Sequence, residues 1–346
     1  MTFSASVIGA SGFTGGELLR LLTAHPQFEI TQATSRKYSG RSIGYTHPNL
    51  RDLKLKYSSP EELESVDVLF VATPHGVSMN RIDDFSEASD IVVDLSADFR
   101  LKDPQKYDQY YDGHSCPELL EKSVYGLPEI YREQLRSAKL IACGGCNSTV
   151  TLLGLYPLFK TGILTPKDTI VADIKVGSSE GGASGSTSSH HAIRSGIVRP
   201  YAPTGHRHEA EIEQELGANV AFTVHAGDMI RGASATCHSF PTKQNLDKPM
   251  IWQAYRNSYE NEPFVNLLSG AGGNYRYPEP KVVAGTNNVE IAFEIDERKN
   301  RIVVFSVIDN MMKGSAGQAI HATNIALGLD ETLGLSYRSL HPTGSP

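Results

Sequence analysis

The chain reads as an α/β protein in two parts: a doubly wound parallel sheet, then an α+β domain built on a mostly antiparallel sheet. Three observations predict this. Its 346 residues lie beyond the ~250–300 at which a single hydrophobic core stops growing. The first part alternates short β-branched runs with amphipathic stretches, Ser6-Val7-Ile8, Glu17 to Leu22, Phe28 to Thr34, Val68 to Ala72 and Ile91 to Leu95, the rhythm of a parallel sheet covered on both faces. From about Thr169 longer strands with fewer helices between them take over, at 169–176, 220–224, 234–240, 289–295 and 301–308, as an antiparallel arrangement requires.

Composition narrows the class. With 40% hydrophobic and 21% charged residues the chain is globular. No run approaches the ~20 apolar residues that span a bilayer, and the first residues lack the basic start and apolar run of a secretory signal, so a cytoplasmic protein with no membrane role is expected. A net charge of −7 argues against nucleic-acid binding, which needs clustered cations. Four cysteines, Cys116, Cys143, Cys146 and Cys237, are too few for a disulfide framework.

The first strand runs into Gly9-Ala10-Ser11-Gly12-Phe13-Thr14-Gly15-Gly16 and then the helical ELLRLL. Glycines let a backbone approach a pyrophosphate, and the helix N-terminus adds amide donors, so Gly9, Ser11, Gly12, Phe13, Thr14 and Gly15 are the expected cofactor turn. The spacing is Gly-x-x-Gly-x-x-Gly rather than the Gly-x-Gly-x-x-Gly of many dinucleotide sites. After the second strand stand Ser35-Arg36-Lys37, with Arg41 beyond. A cationic turn without a carboxylate suits a 2′-phosphate, which predicts NADP over NAD.

Leu140-Ile141-Ala142 leads to Cys143-Gly144-Gly145-Cys146-Asn147-Ser148-Thr149 and an apolar helix. Cys146 thus opens a helix, where dipole and free amides favour a thiolate and can hold an oxyanion. No second C-x-x-C completes a zinc site, so no metal is expected, and Cys143 reads as buried and inert. Thr204-Gly205-His206-Arg207-His208 precedes an acidic helix start. Two histidines at i and i+2 point different ways; His208 is favoured as acid/base, with His206 the alternative. Arg100 and Arg207 are candidate anion clamps. The Gly/Ser-rich 177–189 is either a plain flexible loop or one that covers substrate. Ala, Ile and Leu at helical spacing predict one helix over 314–329, stopped near Gly328.

Together these segments resemble the N-acetyl-γ-glutamyl-phosphate reductase family over nearly the whole chain. The motifs are GASGFTGGELLRLL at 9–22, VATPHGVS at 71–78, DLSADFRL at 94–101, YGLPE at 125–129, GCNST at 145–149, PTGHRHEAEIEQEL at 203–216 and DNMMKGSAGQA at 309–319. The resemblance implies a Rossmann-type NADP-binding domain over 1–145 and 314–346, a catalytic and oligomerisation domain over 146–313, and NADPH reduction of an acyl phosphate to a semialdehyde by a homodimer or homotetramer. It gives Cys146 as nucleophile, His208 or His206 as acid/base, Arg100 facing the substrate phosphate and Asn310 near the nicotinamide; Asn147 and Ser148 join Arg207 at the substrate.

The stretch from Ser188-Ser189-His190-His191 to Arg199-Pro200-Tyr201 is more similar to the branch whose substrate, glutamyl or aminoadipyl phosphate, rides on a small acidic amino-group carrier protein in lysine and arginine biosynthesis. Arg194, Arg199 and Arg207 are then candidate carrier contacts. The rival expectations are a reductase of free N-acetylglutamyl phosphate, an aspartate-semialdehyde dehydrogenase, a non-catalytic NADP-binding sensor and a thiol hydrolase. Cys143 departs from the family motif.

Overall fold

A computed structural model describes residues 2–269 and 273–341. They group into two compact units, Met1–Gly144 with Ser315–Ser336, and Gly145–Gly314 with the described residues from Tyr337 on. The units part after Gly144 and Gly314, where the sequence suggested 145 and 313, and the described residues 337–341 group with the second unit.

The first unit contains β1 (Phe3–Ile8), α1 (Phe13–Ala24), β2 (Phe28–Ala33), β3 (Val66–Val71), α2 (Ile82–Ala88), β4 (Ser89–Asp94), α3 (Pro104–Tyr110), β5 (Val124–Tyr125), α4 (Pro128–Leu135) and β6 (Leu140–Ala142). The strands form one parallel sheet in the order β2-β1-β3-β4-β6-β5. Strands covered on both faces read as continuous apolar runs, and Val68, Leu69, Phe70 and Val71 of β3 are all buried. The chain goes from β1 out to β2 and crosses back to β3. That reversal leaves a crevice at the carboxyl ends of β1 and β3, where open α/β sheets take ligands. The glycine turn follows β1 and the 71–78 motif follows β3.

The second unit contains α5 (Cys146–Lys160), β7 (Thr169–Val176), α6 (His191–Arg194), β8 (Val198–Ala202), α7 (His208–Leu216), β9 (Ala221–Gly227), β10 (Ala233–Phe240), α8 (Lys248–Tyr259), β11 (Val265–Leu267), α9 (Pro280–Val283), β12 (Val289–Asp296) and β13 (Arg301–Ile308). The sheet order is β11-β12-β13-β10-β7-β9-β8. Two pairs, β7 with β9 and β11 with β12, are parallel and the other four antiparallel, so the sheet is mixed. β7 alternates, with Ile170, Ala172, Ile174 and Val176 buried.

Helix α5 is apolar almost all round and packs within this unit against α8 and the sheet, as a fully buried helix must. Pro157 lies inside it. Proline has no N–H to offer the carbonyl four residues earlier; that carbonyl, on Leu153, accepts from the Tyr259 hydroxyl at 2.8 Å.

The predicted tail helix divides. A π-turn occupies Met312–Ala316, and α10 (Gly317–Ala326), which belongs to the first unit, follows and ends before Gly328 at φ +69°. The Asp309 side chain takes the amides of Met311 and Met312 (2.7 and 3.2 Å), while its carbonyl takes Gly314 N five residues on at 3.0 Å. Those bonds replace the regular helical ladder.

Candidate active site

In the first unit the glycine turn is sterically determined. Gly9 sits at φ +76°, and a Cβ there would lie 2.4 Å from the Ala72 carbonyl oxygen; on Gly15 it would lie 2.6 Å from Ala10 Cα and Gly9 O. The space a side chain would fill is already taken by backbone, so these two glycines let the turn pack against the end of β3 and α1 pack closely on the turn. Ser11 and Ser35 share a hydrogen bond of 2.8 Å between their hydroxyls, which joins the turns after β1 and β2. Ser35 Oγ also caps Tyr38 N at 3.2 Å. Thr14 accepts from the Ser315 hydroxyl at 3.5 Å. Phe13, Arg36 and Lys37 are exposed, and the Lys37 ammonium lies 5.2 Å from the Tyr38 ring centre. These residues fit a dinucleotide: a cradle without side chains, a helix N-terminus, and cations at the second turn.

Arg100 is buried, and its guanidinium donates to the carbonyls of Cys143 (2.7 Å) and Leu95 (3.0 Å). It braces the chain that delivers Cys143. Its neighbours form a network that the sequence did not announce. Asp94 accepts from the hydroxyls of Ser78 (2.7 Å) and Ser96 (2.8 Å), and Asp98 from the amides of Gly76 (2.7 Å) and Met79 (3.0 Å). This network ties the 94–101 motif to the 71–78 loop. Burial, reinforced by the Asp98 charge, pushes the Asp94 carboxyl up to about 6.

Three of the four thiols are poor nucleophiles. Burial pushes Cys116 up to about 11 and Cys237 to about 12, and it raises Cys143 further still, with Asp94 adding to the effect. Cys146 is partly exposed and, like the others, in no disulfide. It is the first residue of α5, with Gly145 as N-cap. Its Sγ donates to Asn147 Oδ1 at 3.6 Å, and Asn147 and Ser148 are buried beside it.

His208 opens α7 and is buried. Its ring lies so close to Gly145 that a Cβ there would stand 2.4 Å from Nε2. His206 Nδ1 accepts from His208 N at 3.1 Å, and the two rings meet edge to face at 4.7 Å. Burial, with Arg207 next to it, drives His206 down to about 4, so it is neutral near pH 7. Arg207 is exposed. Glu211, fully buried on α7, ties these parts together: it accepts from Gly145 N (2.9 Å) and the Ser148 hydroxyl (2.8 Å), and it stands 4.0 Å from His208 Nε2. Asn310 spends both ends of its amide inside the second unit, donating to Ser179 Oγ (2.9 Å) and accepting Gly232 N (2.7 Å).

Comparison with known proteins places this arrangement. Residues 4–138 match the model of the semialdehyde dehydrogenase NAD binding domain, and residues 146–310 that of the semialdehyde dehydrogenase dimerisation domain. A protein of Haloarcula marismortui named as a putative LysW-L-2-aminoadipate/LysW-L-glutamate phosphate reductase is 65% identical over 346 residues, all of both chains. The chain belongs to this family of phosphate reductases. A second member of the reductase family, the LysW-L-2-aminoadipate 6-phosphate reductase of Deinococcus radiodurans, is 45% identical over 98% of each chain.

Among solved structures, aspartate semialdehyde dehydrogenase II of Vibrio cholerae superposes with a TM-score of 0.72 at 16% identity, over 95% of this chain and 99% of that one. The enzyme of Candida albicans, solved with NADP, gives 0.67 at 15%, over 94% and 98%. These two share the fold. The reductase is therefore an enzyme that takes an acyl phosphate to a semialdehyde with a nicotinamide dinucleotide.

Sequence reasoning missed Glu211 in this reductase. Its one signal was a glutamate on the same helical face as His208, three residues on. Among the described residues no group of three or more His, Cys, Asp or Glu is disposed to hold a metal, and no helix is long and apolar enough to cross a membrane.

Proposed function

We propose that this reductase uses NADPH to reduce glutamyl or aminoadipyl phosphate carried on a small acidic amino-group carrier protein of the LysW kind, in lysine and arginine biosynthesis. The observation that carries the reading is full-length identity to reductases so named, joined to a thiol at a helix N-terminus with a histidine packed on its N-cap glycine. Cys146 Sγ attacks the acyl carbon, the C–O bond to phosphate breaks, and the acyl group stays on sulfur as a thioester. The nicotinamide, when bound, supplies the hydride that brings the acyl carbon to the aldehyde level. His208 holds the proton that the thiol gives up and returns it as the aldehyde leaves, with His206 and Glu211 fixing its position. The first-turn amides of α5 and Asn147 face the oxyanion, with Ser148 beside them.

Gly9, Ser11, Gly12, Phe13, Thr14 and Gly15 form the pyrophosphate turn, with Asn310 toward the nicotinamide, and Ser35, Arg36 and Lys37 receive the 2′-phosphate. Arg100 and Arg207 are assigned to the anionic substrate; for Arg100 this is indirect, since two of its donors already serve carbonyls. The enzyme works in the cytoplasm as a homodimer or homotetramer. The test is NADPH oxidation with free N-acetylglutamyl phosphate and with carrier-bound glutamyl and aminoadipyl phosphates side by side. Turnover confined to the carrier-bound substrates is expected; equal turnover of the free one overturns the carrier assignment.

A further inference from the structure

The start of the Gly/Ser-rich segment is held firmly. Gly177 N donates to Gly232 O (2.9 Å), Ser178 N to Met229 O (2.8 Å) and Ser179 N to Ile230 O (3.0 Å). Asn310 grips the Ser179 hydroxyl. Gly177 could not carry a Cβ, which would lie 2.5 Å from Ile230 O. What this fixed turn presents is Glu180. Its carboxylate accepts from the Tyr201 hydroxyl at 3.0 Å.

Both Glu180 and Tyr201 are near enough to act on the Asn147 side chain, and the Tyr201 hydroxyl feels the charge of Cys146. Asn147 is wholly buried. Its Oδ1 faces Cys146 Sγ, while its Nδ2 meets no acceptor at hydrogen-bond geometry. An amide so placed has two useful orientations. With oxygen toward sulfur it accepts from the S–H and favours the thiol. With nitrogen toward sulfur it donates to the thiolate and favours that form.

We propose that Glu180, held by Tyr201, sets which end of the Asn147 amide faces Cys146 and is thereby a positioning residue that controls when the nucleophile is armed. The inference rests on the reading of Cys146 as nucleophile. Ionised, Glu180 attracts Nδ2 and leaves Oδ1 on the sulfur. Protonated, it donates to Oδ1 and releases Nδ2 to the thiolate.

The charged and polar groups that face Glu180 are Tyr201 from β8, Arg194 from α6, Arg207 ahead of α7 and Asn147 from α5. Glu180 as a residue is exposed, yet its carboxyl is crowded. Loss of water pushes it up to about 7, against the opposing pull of Tyr201, the two arginines and Asn147. It thus changes charge near neutral pH.

The test needs neither substrate nor NADPH. The alkylation rate of Cys146 by iodoacetamide is followed from pH 5 to 9 by peptide mass spectrometry on the full chain, for wild type, Glu180→Gln, Asn147→Ala and the double variant. Glu180→Gln should move the midpoint of reactivity down by about one pH unit, raising the rate at pH 6.5 by about tenfold. In the Asn147→Ala background the same change should have no effect, because the amide that transmits it is gone.

An unmoved midpoint in Glu180→Gln overturns the proposal. So does a shift that persists without the amide, since Glu180 would then act by its charge alone. Should Asn147→Ala fail to fold, Asn147→Ser removes the same amide and keeps the cycle. A wild-type Cys146 unreactive at every pH would instead sink the nucleophile reading itself.

Discussion

At Gly145 the missing side chain is a requirement of the histidine that lies on it. A Cβ would meet the His208 ring at 2.4 Å, and an imidazole is rigid, so either the ring or the first turn of α5 must move. Displacement of catalytic groups by about 1 Å can cost about 10²-fold in rate. Gly145→Ala should therefore lower turnover by about that factor with NADPH affinity kept; unchanged turnover would show that the ring contact is dispensable. Cys146→Ser should retain NADPH binding and lose reduction by several orders of magnitude, because a hydroxyl is a far poorer nucleophile than a thiolate. Activity within about tenfold of wild type would refute the assignment. Arg36→Ala should weaken NADPH much more than NADH in parallel titrations, since only the former carries a 2′-phosphate; equal weakening would make Arg36 structural. The placement of Cys146 at the start of α5 and of the two histidines at the entry to α7 was legible, because residue order and the flanking glycines and acids mark those helix starts. Glu211 was not: a helix that begins HEAEIEQEL offers several glutamates, and only packing selects the one that reaches Gly145 N.

Elements with long periodic patterns were readable to within a residue or two, β7 and β13 among them. The ones that escaped are those whose stability comes from partners outside themselves. Edge strand β8 contains Pro200 and pairs on one side only. The π-turn before α10 exists because Asp309 captures amides that a regular helix would use, while composition alone predicts an unbroken helix. Helix α5 shows the same dependence at Pro157, where the freed Leu153 carbonyl is satisfied by Tyr259. Tyr259→Phe removes that donor with little change of shape. A buried carbonyl left unpaired costs about 1–3 kcal/mol, so the variant should unfold at lower temperature by calorimetry while its Michaelis constant for NADPH stays put. A thermal midpoint equal to wild type would mean that the carbonyl finds another donor.

On the scale of the whole molecule, acid and base act on stability through opposed carboxylates in the first unit. Glu331 is drawn down to about 2, chiefly by its hydrogen bond to His321 (2.7 Å) and then by Arg132 (2.8 Å). In the unfolded chain it titrates near 4.5, so its contribution is complete above that pH and is lost as pH falls toward 2. Asp94 behaves in the opposite sense. Burial and Asp98 raise it from 3.8 to about 6, so the native state holds the proton more tightly than the unfolded chain does. Its contribution is therefore greatest below about pH 4, declines as pH rises to about 6, and is level beyond. Between these ranges, from about pH 4.5 to 6, Asp94 is the one of the two whose contribution is changing most. Asp94→Asn keeps the shape and removes the titration. The difference in thermal midpoint between wild type and Asp94→Asn should shift against the wild type as pH rises from 4.5 to 6.5 and stay constant from 6.5 to 8. Parallel curves across the whole range would show that Asp94 is ionised, or neutral, to the same extent in both states, and that the serine hydroxyls on it offset its burial in full.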